Sequence, residues 1–341
     1  MSTFLESSDR FNRLSDWAPS CSLALLKERA RVIATIRRFF EDRGVLEVET
    51  PILMHGGSTD PNLSSFSTHF NFPGRPSQGE VLYLQTSPEF AMKRLLAAGS
   101  GSIFQICKAF RNEEVGSFHN PEFTMLEWYR VDFSLRKLIG ETEALVNTVF
   151  KGRRILDRPE IISYAEVFER HVHIDPLTAD ADMLAACAAR FGLDEAKRLC
   201  GHDITIWLDF LFSHLVQPHL GHGRLSFVFD FPALLPSLAR TKPGDHRVVE
   251  RVEVYLGGME LANGFQELAD ADEQDRRFEA DLRKRRGLGL AEPRKDDRLV
   301  MALRSGLPEC AGIALGIDRL IMLVTGAKVI DDVLSFPVDR A

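Results

Sequence analysis

The stretch from Phe110 to Arg130, FRNEEVGSFHNPEFTMLEWYR, constrains this chain more than any other. It predicts two strands joined by a loop. Ile103, Phe104, Ile106 and Phe110 suit a mostly buried first strand over about 103–111. From about Glu122 to Val131, Phe123, Met125, Glu127 and Tyr129 recur at period two and share one face of a second strand. Between them Gly116, His119, Asn120 and Pro121 are loop residues. The run Arg111-Asn112-Glu113-Glu114 puts charge where strand meets loop. An arginine there can clamp a phosphate or a carboxylate with two prongs; a surface hairpin with a salt bridge fits the same periodicity.

Along the chain, residues 1–22 carry little periodicity and predict a loose arm. Leu26, Ala30, Ile33, Ile36 and Phe40 form the apolar stripe of a helix over 23–43, ended by Gly44. A strand follows from Val45 to Thr50 and stops at Pro51. Residues 55–80, rich in Gly, Pro, Ser, Thr and Asn, predict an irregular loop on the rim of a site. Ser87 is placed to cap a helix that begins at Pro88 and runs to about Ala98, with Glu89 in the first turn, where a carboxylate complements the helix dipole. Leu135–Val149 is amphipathic, and an Ala- and Leu-rich helical portion covers 179–199; a helical insertion is expected around 135–222.

His202, His214, His219 and His222 lack an acidic or thiol partner spaced to complete a metal site. Strands are expected at Leu225–Phe231 and Val248–Gly258, the second interrupted by Glu253, with Glu260, Asn263 and Glu267 close behind. Carboxylates converging on a sheet face are costly unless cations neutralise them. Asp270–Arg286 predicts a charged surface helix with Phe278 and Leu282 inward. A strand of small residues, Ala311–Gly316, leads to a helix over Asp318–Thr325 closed by Gly326. Gly312 and Gly316 leave room against the backbone. Arg319 sits in the first helical turn, the wrong end for a cation, a misfit that a bound polyphosphate would repair.

A hydrophobic content of 45% in 341 residues is ample for a core, and a net charge of −7 makes the whole surface no electrostatic trap for nucleic acid. The five cysteines include no CxxC pair, which fits a reduced cytoplasmic protein. The polar, acidic start MSTFLESSDRF is unlike a signal peptide. No apolar run approaches the roughly 20 residues of a membrane span.

GVLEVETP (44–51), the Phe110–Arg130 stretch and GIALGIDRLIML (312–323) resemble, in order, the three motifs of the class II aminoacyl-tRNA synthetases. SPEFAMKRL (87–95), HNPEFTMLEWY (119–129) and MELANGFQEL (259–268) are similar to the lysyl subgroup. The resemblance, over about 23–340, implies an α+β catalytic core: an antiparallel sheet flanked by helices, dimeric through the first helix and strand. It implies ATP and Mg²⁺ as cofactors, with Glu253 and Glu260 taking the metal. ATP would be held by Arg111, Asn112, Glu113, Asn120, Phe123, Glu260, Leu261, Gly316 and Arg319, with Arg111 and Arg319 catalytic. A lysine-like amino acid would meet Ser87, Pro88, Glu89, Tyr129, Asn263, Glu267 and Ala314. Pro236-Ser237-Leu238-Ala239 resembles a segment lining the substrate pocket.

Only about 22 residues precede the first helix, too few for the anticodon-reading barrel of lysyl-tRNA synthetases, so no anticodon-binding domain and no stable tRNA binding are expected. The chain thereby resembles the elongation factor P lysine ligases, truncated paralogues that transfer a β-lysine-type residue to a lysine of elongation factor P. Ser87, Trp128 and Ala314 resemble the paralogues, the first and last replacing alanine and glycine usual in the tRNA enzymes. The alternatives are a reduced tRNA-charging enzyme, a catalytically dead regulator and an asparagine-making relative. Intact Arg111, Glu253, Glu260 and Arg319 speak against the regulator, and Glu89 and Glu267 against a short acidic substrate.

Overall fold

A computed structural model describes residues 17–341. The expected N-terminal arm therefore lies mostly outside the described residues. Ser22 caps the first helix, its hydroxyl accepting from the Leu25 amide at 3.2 Å. Helix α1 (Leu23–Glu41) buries Val32, Ile36, Phe39 and Phe40, while Ala30 of the expected stripe is exposed. Gly44, at φ +64°, turns the chain into β1 (Leu46–Glu47). The expected strand to Thr50 is cut to two residues. Thr50 gives its hydroxyl to Gln105 Oε1 at 3.0 Å, and Pro51 has no N–H for a ladder.

β2 (Leu53–Met54), β3 (Ser67–Phe72) and β4 (Arg75–Leu84) form a small sheet in the order β2-β4-β3. The irregular loop expected over 55–80 is thus, in its second half, a hairpin. Every residue of β3 is exposed, so no apolar alternation marks it; main-chain pairing and the turn at Gly74, φ +72°, make it. After α2 (Glu89–Ala97) come β5 (Ile103–Phe110) and β6 (Glu122–Val131), the expected antiparallel pair, in register from Ile103↔Tyr129 to Phe110↔Glu122.

Helix α3 (Leu135–Phe150) belongs to the main core and not to an insertion. Beyond β7 (Asp157–Ser163), a second helical layer holds α4 (Tyr164–Val172), α5 (Ala181–Arg190), α6 (Ala196–Cys200) and α7 (Ile204–Leu211). The Ala- and Leu-rich run is two helices because Gly192 takes φ +72° between them. This layer has its own core around Tyr164, Phe168, Trp207 and Phe212. His219 stacks on His171, and His214 on Phe210. Among the described residues no cluster of His, Cys, Asp or Glu is built to hold a metal alone.

The remaining strands and α-helices are β8 (Arg224–Pro232), β9 (Val248–Leu256), β10 (Met259–Gln266), α8 (Ala271–Gly287), α9 (Asp297–Ser305), β11 (Cys310–Gly316) and α10 (Ile317–Thr325). The large sheet runs β1-β5-β6-β11-β10-β9-β8-β7. Its inner pairs are antiparallel, and only β1–β5 and β7–β8 at the two edges are parallel. One face packs Leu126, Trp128, Ile313 and Leu315 against α1, α3 and α10. Period two then turns Met125, Glu127 and Tyr129 to the opposite face, where the site lies. No helix of the described residues is long and apolar enough to cross a membrane.

Candidate active site

Strand register builds the site as rows across the sheet. In one row Glu127, Ala314, Asn263 and Glu253 are successive partners on β6, β11, β10 and β9. In the next, Tyr129, Gly312, Phe265 and Arg251 are partners in the same order. Paired residues point to the same face. On that face the middle strand, β11, carries only small residues, Cys310 at its start and then Gly312, Ala314 and Gly316, so the rows are concave. A methyl at Gly312 would lie 2.3 Å from Tyr129 Cε1 and 2.7 Å from Glu267 Oε1. At Gly316 its nearest neighbours would be Arg319 side-chain carbons, at 3.7 Å or more, an ordinary contact. Of the two glycines, Gly312 alone is demanded by close packing.

The resulting cavity is about 470 Å³, and it brings together most of the expected residues: Ser87, Glu89, Arg111, Asn120, Phe123, Tyr129, Glu260, Leu261, Asn263, Glu267, Ala314, Gly316 and Arg319. Pro236, Ser237 and Leu238 also line it. Its two ends differ in charge.

At one end Arg111 lies over Phe123, 5.1 Å from the ring centroid, and its buried Nε has no partner within the chain. An unpaired guanidinium N–H beside an aromatic face fits an anion carrying a planar base. Arg319 donates from Nη1 to the Glu260 carbonyl at 2.7 Å and from Nη2 to His119 Nε2 at 2.7 Å. Because a guanidinium only donates, His119 accepts and is neutral; burial first, then Arg319, holds its pKa below the usual value. Asp318 beside Arg319 is buried, accepting from the Thr124 amide at 2.7 Å and from Arg29 of α1 at 2.5 Å. Arg29 also reaches the Thr124 hydroxyl at 2.7 Å.

At the other end Glu89, Glu127 and Glu267 gather around Lys93, which is fully buried on α2. Burial raises Glu127 to about 7 and Glu267 to about 8, with neighbouring carboxylates adding to it. Arg251, partly buried in the cavity wall, donates from Nε to Asn263 Oδ1 at 3.2 Å, which turns the Asn263 amide nitrogen away as a free-facing donor.

Several expected residues stand elsewhere. Asn112 and Glu113 are exposed on the outer loop and do not line the cavity; Glu113 accepts from Ser64 at 3.2 Å, and Glu114 faces inward instead. Pro88 is buried ahead of α2, outside the wall. Ser87 caps the Glu89 amide at 3.1 Å while donating to Glu127. Asn120 spends its amide on the Glu122 carbonyl and the Val338 amide, so it fixes the loop. Glu253 lies behind the wall, its carboxylate taken by Arg251 and Tyr255, and burial raises it to about 7. Glu260, in the wall and facing Arg319 at 3.7 Å, is the accessible carboxylate for a cation. Glu127, Arg251, Lys93 and His119 were not among the expected site residues. Two of them carry a signal, alternation with residues that were expected: Glu127 two before Tyr129, and Arg251 two before Glu253; Lys93 and His119 carry none.

The family model of class II tRNA synthetases (D, K and N) matches residues 7–340. A protein of Pectobacterium atrosepticum named elongation factor P–(R)-beta-lysine ligase is 50% identical over 328 residues, covering 96% of this chain and 99% of its own. Relatives of the same name from Klebsiella pneumoniae subsp. pneumoniae and Salmonella paratyphi B are 51% and 50% identical over 325 residues, covering 95% of this chain and 98% of theirs. With this match across nearly its whole length, the chain belongs to the class II tRNA synthetase (D, K and N) family.

Proposed function

We propose that this chain is an ATP-dependent ligase that activates (R)-β-lysine, or lysine, as an aminoacyl-adenylate and transfers it to a lysine side chain of elongation factor P. One observation carries the reading. A single cavity holds Arg111 and Arg319 at one end and Glu89, Glu127 and Glu267 at the other, so an anionic polyphosphate and a cationic amino acid would meet in its middle. The relatives' names supply the acceptor.

A carboxylate oxygen of the amino acid attacks the α-phosphorus of ATP, and the bond to the bridging oxygen breaks, releasing pyrophosphate. The Arg111 guanidinium, in the cavity wall and with its Nε unpartnered within the chain, takes the carboxylate and α-phosphate. Each charge-assisted bond is worth about 1.5–3 kcal/mol. Phe123 stacks under the adenine, Leu261 and Gly316 border it, and Arg319 draws in the terminal phosphates. Positioning and charge neutralisation supply the catalysis. Asn263 presents its amide donor to an oxygen of the substrate, since Arg251 occupies Oδ1. In the second half-reaction the acceptor amine attacks the carbonyl carbon, the C–O bond to AMP breaks, and the nitrogen gives up a proton.

The carboxylates fit magnesium that arrives with a triphosphate, since that ion needs only one or two protein oxygens beside phosphate. Glu260 would hold it, with Glu253 behind; bound, it neutralises phosphate charge. Helix α1 and β1 would form a homodimer interface, supported by exposed Leu23, Leu46, Ile52 and Leu53. The five free thiols suit the cytoplasm.

The test is to incubate the chain with ATP, (R)-β-lysine and elongation factor P and weigh the factor. A gain of one lysyl unit is expected. An unchanged factor, with lysine transferred to purified tRNA instead, would overturn the reading.

A further inference from the structure

Lys93 has no part in the chemistry above. It sits in the middle of α2, where an aliphatic residue would pack at no electrostatic cost, yet its side chain is 1% exposed and charged. Its Nζ lies 2.6 Å from Glu89 Oε1 and 2.6 Å from Glu267 Oε2. Glu127, beside them, accepts only from neutral hydroxyls, those of Ser87 and Tyr129, each at 2.7 Å. One ammonium therefore serves a floor of three carboxylates.

We propose that Lys93 is a positioning residue that sets the charge of this floor: it ties Glu89 to Glu267 and leaves the floor two positive charges short, so that an amino acid bringing two ammonium groups completes it and one bringing a single ammonium does not. The inference deepens the diamino-acid reading and rests on it. Glu127 is the carboxylate for the second ammonium, since its register partner on β11 is Ala314, at the centre of the concave rows.

A floor short of cations draws protons. The groups facing it are Glu89 and Lys93 from α2, Tyr129 from β6, Cys107 from β5 and Cys310 from β11. Burial raises both thiols and the phenol, so these stay neutral and only the carboxylates respond near neutral pH. Glu127, raised to about 7 and bonded only to neutral hydroxyls, is partly protonated in the empty site, whereas Glu267 faces the Lys93 ammonium. A doubly cationic ligand releases the Glu127 proton, and its affinity rises with pH up to about 7.

Calorimetric titration of the unmodified protein with (R)-β-lysine at pH 7, in two buffers of different ionisation enthalpy, reads this directly. Net proton release is expected; none would overturn the proposal. In amino-acid-dependent pyrophosphate exchange, K93M should raise KM for the diamino acid roughly tenfold or more while leaving KM for ATP within about twofold, because only the floor is changed. K93M/E89Q restores the charge count and should recover a several-fold part of that loss. An unchanged KM in K93M, or a double variant no better than the single, would overturn the proposal. If K93M does not fold, the double variant, which removes both partners of a buried pair, and the calorimetry decide. Absence of exchange by the unmodified enzyme with any diamino acid would sink the substrate reading itself, and this proposal with it.

Discussion

Gly312→Ala is the sharpest perturbation the site offers. The new methyl would lie 2.3 and 2.4 Å from Tyr129 Cε1 and Cδ1, and 2.7 Å from Glu267 Oε1. Ordinary carbon contacts begin near 3.5 Å, so the ring must retreat by about 1 Å. It has little room to do so: although Tyr129 borders the cavity, it is only 3% exposed and packs with Met92, Leu96 and Ile103. Retreat also pulls its hydroxyl from Glu127, a 2.7 Å bond. Overpacking costs about 1–3 kcal/mol and a hydrogen bond to a charged group about 1.5–3. The sum, roughly 2.5–6 kcal/mol, divides between folding stability and amino-acid binding. Urea denaturation and pyrophosphate exchange measure the two shares. The expected outcome is a lowered midpoint and a KM for the amino acid raised at least tenfold, with KM for ATP little changed. Full stability and an unchanged KM would refute the claim that Tyr129 and Glu267 close over this glycine.

Other outcomes test other parts of the site. Arg29→Met removes the partner of buried Asp318, 2.5 Å away, and should cost about 3–5 kcal/mol in urea unfolding, as expected for a stranded buried charge, with Asp318→Asn restoring part of it. Ala314→Gly should move the preference between α- and β-lysine by about 1–3 kcal/mol, read as the ratio of kcat/KM in exchange assays, because one methyl is gone from the row that meets Glu127. Glu127, raised to about 7, binds a proton in the folded state that the unfolded chain has lost above about 4.5. The ligand-free protein therefore loses stability as pH rises from about 5 to 7, by at most about 1.4 kcal/mol per pH unit from this group. Glu127→Gln should flatten that slope in thermal unfolding, and saturating diamino acid should do the same.

Much of this architecture is legible in the residues, and the parts that are not share a cause. The β5–β6 pair announces itself because one face alternates apolar and functional side chains while the other is buried. The β3–β4 hairpin is silent: its first strand is exposed throughout, and Gly74 and Pro73 mark only a break. Inside the run 179–199, Gly192 reads as tolerable in a helix until its φ of +72° is known. Among site residues, those carried by a motif are visible and those defined by a distant partner are not. Lys93 looks like any helix lysine until Glu267, from the far end of the chain, is folded against it. Arg29 looks like a surface charge on α1 until Asp318 arrives. Asn112 and Glu113 follow Arg111 in sequence, yet Glu113 takes φ +69° and the loop turns both outward, leaving Glu114 to face the cavity.

The same geometry explains why segments so far apart read as one constellation. Each of β6, β11, β10 and β9 places one residue in the row Glu127–Ala314–Asn263–Glu253 and one in the row Tyr129–Gly312–Phe265–Arg251. A side chain's partner across the sheet is set by register, and its own position within a strand sets only which row it joins. A concave site then needs small residues at alternate positions of a central strand and larger, charged ones at the matching positions of its neighbours. Gly312, Ala314 and Gly316 supply the first condition on β11, and the acidic and guanidinium residues of β6, β10 and β9 the second. Charge of opposite sign is separated along the strands, since β6 reaches from Tyr129 at the amino-acid end to Phe123 beneath Arg111 at the other. In the proposed reaction an amino acid lying along that direction would have its ammonium groups over the carboxylates and its carboxylate at the guanidiniums, so the sheet itself would align the nucleophile with the phosphate it attacks.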